Sequence, residues 1–363
     1  MLNPKTRRFF QLVLPFVLFW QVGSLVYLFL EKGLLGDLDY YPNTGNPYDF
    51  MYNSIILLTS ATIVGFLVGS FEILYLKKKF LNAGFGVKLF GKSFIYAGIM
   101  IIFLLVNAII SNMVESQLEI TDPILWDHIW IFLTSFSFWS VEIYIALLMG
   151  LSLFYAEVSD NMGPQVLNNF LLGKYHHPLE EERIFMFLDM KSSTTIAERL
   201  GHIQYFELLQ DYYEDISEPI LLFEGEVYQY VGDEIVISWL KHEGLHLHNC
   251  IQCFFEMRKA LASKQAKYEK KFGIVPTFKA GLHLGKVTAG EIGVLKQDIV
   301  FTGDVLNTTA RIQSLCNDYN SQLLISESLL QLLPEMPYSF RSVGDTSLRG
   351  KNNTVEIFTL VES

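Results

Sequence analysis

Cysteine is scarce in this chain: three in 363 residues, Cys250, Cys253 and Cys316, all in the second half. So few thiols exclude a disulfide scaffold, and a reducing compartment would keep them unpaired. Lysine and arginine are missing from one stretch of the first half, where Glu115, Glu119, Asp122 and Asp127 stand alone. Apolar runs of membrane-spanning length are missing after about residue 156. The glycines Gly281, Gly285 and Gly290 lack the G-x-G-x-x-G spacing, which excludes a dinucleotide-binding turn there. A small-residue cleavage site is also missing after the first apolar run, and further runs follow it, so a signal peptide is not expected.

What is present is strongly apolar. The hydrophobic fraction is 51% and the mean hydropathy +0.30. The excess lies in residues 1–156, read as a membrane domain. Its four runs, at about 9–30, 54–76, 93–111 and 129–155, each meet the roughly 20 residues that cross a bilayer as a helix. Arg7 and Arg8 with Lys5 precede the first run, and Lys77, Lys78, Lys79, Lys88 and Lys92 separate the second from the third. The other two connections are acidic, with Glu31, Asp37, Asp39 and Asp49 outweighing Lys32 in the first. Positive charge marks the cytoplasmic side, so both termini are expected there, in a multi-pass protein of the inner cell membrane. Glu72 and Glu142, and less so Asn107, stand out within the runs. They suit either a sensing site between helices or packing through hydrogen bonds, with Glu72 also near the cytoplasmic interface.

A connector at 157–180 follows. Val158, Met162, Val166, Leu167 and Phe170 suggest a short amphipathic helix there, which Gly173 could end, and Pro178 marks an extended segment. From 181 to 363 the pattern is α/β. Strands are predicted at 183–188, 226–230, 235–239, 277–284 and 323–326, with helices at about 193–223, 247–272, 305–319 and 327–333. In the stretch that opens the second helix, His246, His248, Cys250 and Cys253 tempt a zinc reading. The continuing apolar spacing of Ile251, Phe254, Met257 and Leu261 favours cysteines that pack in a core instead.

Two aspartates end strand-like runs. Asp189 closes "IFMFLD", and Asp233 sits at the tip of the hairpin turn in "YVGDEIVI", where Gly-Asp favours a two-residue turn. Paired aspartates on adjacent strands suit two magnesium ions, with phosphate and water completing their shells. Behind Asp189, the turn from Met190 to Thr194 opens a helix whose free N–H groups and hydroxyls suit a triphosphate. Taken singly, each aspartate could equally be a helix cap. In "FTGDVLNTTARIQ", Asn307 and Arg311 lie four apart, on one helix face. That pair could grip ribose and phosphate, or could be an ordinary solvated surface.

In order, "FLDMKSSTTIAERL", "YQYVGDEIVISW", "KAGLHLGKVTAGEIG" and "FTGDVLNTTARIQ" resemble the catalytic domain of class III nucleotidyl cyclases, over about residues 175–360. The resemblance implies a ferredoxin-like α/β domain that forms a head-to-tail homodimer. It implies two Mg²⁺ or Mn²⁺ ions held by Asp189, Asp233 and the Met190 carbonyl, with Ser192, Ser193 and Thr194 cradling the phosphates. It further implies Asn307 and Arg311 of the second subunit at the ribose and the α-phosphate, and Lys351 on the polyphosphate. The product would be a 3′,5′-cyclic nucleotide with release of pyrophosphate.

At the base-reading positions the chain departs from the adenylate pattern. Gln229 replaces a lysine, and Val300 stands where Asp or Thr is expected, with Thr302 two residues on. The Glu and Cys of guanylate cyclases are missing too. A glutamine amide can face adenine or guanine, so ATP is the expected substrate and GTP the alternative. A membrane-anchored adenylate cyclase in the lipid bilayer is thus the expectation, with no nucleic-acid partner. Two other readings remain: a non-catalytic receptor with a cyclase-like domain, and a transporter with a regulatory nucleotide domain.

Overall fold

The computed structural model describes residues 4–37, 39–40, 48–80, 83–116, 119–334, 338–347 and 354–361. Lys351 lies outside them. The chain divides into two compact units, Met1–Leu167 and Asn168–Ser363.

The first unit is helical: α1 Pro4–Leu35, α2 Phe50–Phe71, a π-helical turn Glu72–Leu76, α3 Lys77–Lys79, α4 Phe85–Ser116, α5 Pro123–Thr134 and α6 Phe136–Met162. Four helical stretches, Thr6–Leu35, Phe50–Lys79, Phe85–Ile110 and Phe136–Met162, are long and apolar enough to cross a membrane. Small residues let helices touch closely where lipid supplies no hydrophobic drive. A Cβ on Gly65 of α2 would fall 2.8 Å from the Val17 Cα of α1.

The structure corrects two helix boundaries. The fourth apolar run is not one helix, because Ser135 breaks it. The Ser135 hydroxyl accepts from the Phe138 N–H at 3.1 Å and donates to the Phe132 carbonyl at 2.7 Å. It thereby ends α5 and caps α6. The third helix begins at Phe85, eight residues before the apolar run does, so Lys88 and Lys92 are helical.

Lys92 is buried. Its ammonium meets Glu72 and Glu157, each at 2.5 Å, and the Tyr96 hydroxyl donates to Glu72 at 3.1 Å. The Glu72 carboxylate is thus tied by an ion pair and not merely near an interface. Removing this ammonium leaves two buried acids with only Lys88, 3.9 Å from Glu157, beside them, so Lys92→Met should destabilise this unit by about 3–5 kcal/mol. Thermal unfolding of the purified protein in nanodiscs checks this, and an unchanged midpoint would contradict it.

The second unit begins within α7, Pro164–Leu171. Its elements are β1 Leu179–Met190, α8 Ser193–Leu222, β2 Glu226–Val231, β3 Glu234–Leu240, α9 Lys241–Leu245, a 3₁₀ turn His246–His248, α10 Asn249–Ser263, α11 Gln265–Phe272, β4 Phe278–Ile292, β5 Asp298–Thr302, α12 Asp304–Ser314, β6 Leu323–Ser326, α13 Glu327–Leu330, β7 Ser339–Ser347 and β8 Thr354–Val361. The sheet order is β2-β3-β1-β4-β6-β8-β7, with β5 paired to the far end of β4. Only β4 and β6 run parallel among the paired strands described.

Strand β1 is apolar on both faces because both are covered. Ile184, Met186, Leu188 and Met190 join the core under α8, α10 and α11. Phe185 and Phe187 face the other way, with Val236, Val287, Phe301 and Val305. Cys250 and Cys253 belong to the first core and are fully buried, and burial pushes the Cys250 thiol up to about 12. They pack as small hydrophobes, and the described residues hold no cluster of three metal-binding side chains. The long predicted helix at 247–272 is two helices, α10 and α11, meeting at Lys264, whose backbone leaves the helical region.

Two glycines of β4 admit α12. A Cβ on Gly285 would lie 2.9 Å from the Val305 Cβ, and one on Gly281 would fall 2.7 Å from the Gln313 Cα. Gly281→Ala must push α12 off the sheet, costing about 1–3 kcal/mol. Chemical denaturation of the second unit measures this. A variant as stable as the parent would show that the helix does not rest on this contact.

Candidate functional site

Asp189 is carried to its place by ladder register. It pairs with Glu234 on β3 and with Lys279 on β4, at the end of a twelve-residue strand. The β2–β3 hairpin closes through Gly232 and Asp233, between the paired Val231 and Glu234. Gly232 takes φ 64°, a left-handed conformation glycine adopts without strain. The hairpin tip therefore brings Asp233 to Asp189, close enough for their carboxyl groups to hydrogen-bond.

This pair is electrostatically expensive. Burial, then the Asp233 hydrogen bond and charge, push the Asp189 carboxyl above its ordinary value, although Lys279 opposes them. Lys279 Nζ lies 3.2 Å from an Asp189 oxygen. Burial and the same two aspartates push Glu234 up as well. Asp233 Oδ2 is buried with no hydrogen-bond partner. An orphaned carboxylate oxygen beside a second carboxylate is a donor set for a hard divalent cation, with room for backbone, phosphate and water oxygens. The residues present fit such an ion.

Beyond Asp189 the chain turns sharply into α8. Ser192 adopts a left-handed φ of 57° and its side chain makes no capping bond. The first N–H groups of this long helix lack partners one turn back, as at any helix start, and favour anions. A cavity of about 480 Å³ opens here, lined by Asp189, Met190, Ser192, Ser193, Thr194 and Lys279 among others. Met190 remains in β1, paired with Phe278, so the turn itself is shorter than expected. Lys279 was not singled out from sequence, because its neighbour across the ladder is set only by the β1–β4 register. Asn317, Asn320 and Ser321, after α12, also line the cavity and were likewise unmarked.

Asn307 and Arg311 are exposed on the outer side of α12. Neither lines the Asp189 cavity. Val305 packs on Gly285, which pairs with Arg183, six residues before Asp189 along β1. At about 3.3 Å per residue that is roughly 20 Å. Asn307, half a helical turn on, thus sits well away from the aspartates of its own chain.

Gln229 lies exposed on edge strand β2, at a bulge after Val227. Val300 and Thr302 lie on β5. These strands are distant in the ladder, yet the Phe301 N–H donates to the Tyr228 hydroxyl at 3.3 Å, and their rings sit 4.9 Å apart. The structure therefore brings the three base-reading candidates into one region. Thr302 donates from its hydroxyl to the Thr288 carbonyl at 3.3 Å, which occupies its proton.

The profile of the adenylate and guanylate cyclase catalytic domain matches residues 177–362. Adenylate cyclase 2 of Rhizobium meliloti (strain 1021) is 34% identical over 222 residues, covering 61% of this chain and 61% of its own length. An adenylate cyclase of Anabaena cylindrica is 24% identical over 208 residues, covering 54% of this chain and 39% of its own. The chain thus spans less than two thirds of these relatives. A solved bacterial light-regulated adenylyl cyclase shares the fold, with a TM-score of 0.51 at 20% identity over 61% of this chain and 64% of that one. With more than half its residues matching that profile, the chain belongs to the adenylate and guanylate cyclase catalytic domain family.

Proposed function

We propose that this protein is a membrane-anchored adenylate cyclase acting as a homodimer, with two equivalent sites at the subunit interface. The observation that carries this reading is the separation just described. Asp189 and Asp233 meet at one place, while Asn307 and Arg311, exposed on α12, line no part of the cavity there, which supports a site completed by a second copy. The 34%-identical relative bears the name adenylate cyclase, which supports ATP as the substrate.

In this reading Asp189 and Asp233 hold two Mg²⁺ or Mn²⁺ ions, with the Met190 carbonyl. When bound, the ions supply charge neutralisation and a more acidic ribose 3′-hydroxyl. Ser192, Ser193 and Thr194 receive the polyphosphate at the start of α8. The second subunit's Asn307 orients the ribose, and its Arg311 neutralises charge gathering at the α-phosphate as pyrophosphate leaves. Gln229, with Val300 and Thr302, faces the base, and Lys351 reaches the polyphosphate. The four spans anchor the chain with both termini cytoplasmic, a reading supported by the basic residues before the first span and between the second and third.

The test is direct. Purified protein with Mn²⁺ and either ATP or GTP should yield cyclic AMP in excess over cyclic GMP. Comparable yields would mean that Gln229 does not discriminate, and no product from either would favour a non-catalytic receptor.

A further inference from the structure

The first unit contains a second cavity, of about 380 Å³, between α1, α2, α4 and α6. That is the lower range of small-molecule sites. We propose that it binds a diffusible single-chain amphiphile with an amine headgroup.

Its shape and lining carry the proposal. Glu31, Tyr27 and Asn53 line one end, while Trp20, Ala61 and Leu148 line the other. Trp20 and Glu31 are eleven residues apart on α1, hence roughly 16 Å along the helix. Most of the wall between them is apolar. An elongated molecule, polar at one end and apolar along its length, matches this gradient.

The polar end specifies its chemistry further. Near the polar end, Glu31 is held by the Tyr48 hydroxyl at 3.0 Å and the Tyr27 hydroxyl at 3.4 Å, so its carboxylate has a set position. The connection beyond α1 adds Asp37, Asp39 and Asp49, and Lys32, in the last turn of α1, is paired with Asp37. A cationic head is therefore favoured and an anionic one opposed. At the apolar end Trp20 is buried, yet its indole N–H has no hydrogen-bond partner. A buried donor without an acceptor is costly; an alkyl chain cannot accept from it, so only a small shift of the ring relieves it while the chain fills this end.

The experiment uses the full chain in phosphatidylcholine nanodiscs and two photoreactive probes, dodecylamine and dodecanoate, each carrying a diazirine at the chain terminus. The amine probe should label α1 or α6 saturably, and at least about tenfold more strongly than the carboxylate probe at equal concentration. Ala61→Phe should suppress the saturable labelling, and Glu31→Gln should narrow the difference between the probes. Labelling that is equal for the two probes and linear in concentration would show a cleft filled by bilayer lipid. No labelling by either would show a cavity closed by protein, and both results overturn the proposal. Should Ala61→Phe fail to fold, Glu31→Gln with the two probes still decides. Because the readout is labelling, it stands apart from the cyclase reading.

Discussion

Asp233→Ala should lower cyclic nucleotide formation by at least about 10²–10³-fold, the scale set when a single group that stabilises developing charge is lost. Asp233 sits on a two-residue turn with an orphaned oxygen, so its removal costs the fold little. The loss should therefore come with an intact dimer by light scattering. It should also come with a vanished Mn²⁺-dependent rise in melting temperature, since an ion that binds only the folded state stabilises it. The wild-type rise without the variant's would separate lost ion binding from lost structure. Full activity in Asp233→Ala would sink the ion assignment.

The second large effect concerns the other half of the proposed site. Arg311→Ala should cost roughly 10³–10⁵-fold in turnover, as loss of a guanidinium at a transferring phosphoryl group does. Arg311 is exposed on α12, so melting should be nearly unchanged. Its absence from the cavity beside the aspartates of its own chain makes a sharper expectation. Co-expressed Asp233→Ala and Arg311→Ala chains, purified as mixed dimers through two different tags, carry one intact and one doubly impaired site. Such dimers should recover about half the wild-type rate, because one of two symmetric sites is restored. Mixed dimers that form and stay inactive would refute a shared site.

Much of the site was legible because its chemistry is local. Asp189 ends an apolar run and Asp233 follows Gly232, so strand ends and a hairpin turn announce themselves in consecutive residues. Asn307 and Arg311 share a face by helical spacing alone. Lys279 was invisible for the opposite reason: nothing within "TFKAGLHLG" says that it faces Asp189, and only a register spanning two strands decides it. Strand β5 was missed because it is only five residues long, and β7 because its residues are largely polar. Their strand character comes from pairing with β4 and β8. In the first unit the apolar runs predicted the helices. The break at Ser135 and the burial of Lys92 depended on a hydroxyl finding a carbonyl and an ammonium finding two acids.

The sequence by itself determined the division into an apolar helical half and an α/β half, and the ordered motifs that mark the family. It did so because hydropathy periods and turn residues act over a few neighbours. Only the tertiary structure decided three things: that Asp189 and Asp233 meet beside Lys279, that Asn307 and Arg311 lie outside the cavity there, and that a cavity graded from Glu31 to Trp20 runs between four helices. Each depends on residues far apart in the chain, whose meeting is set by strand register and by how closely glycines such as Gly281 and Gly65 let elements approach.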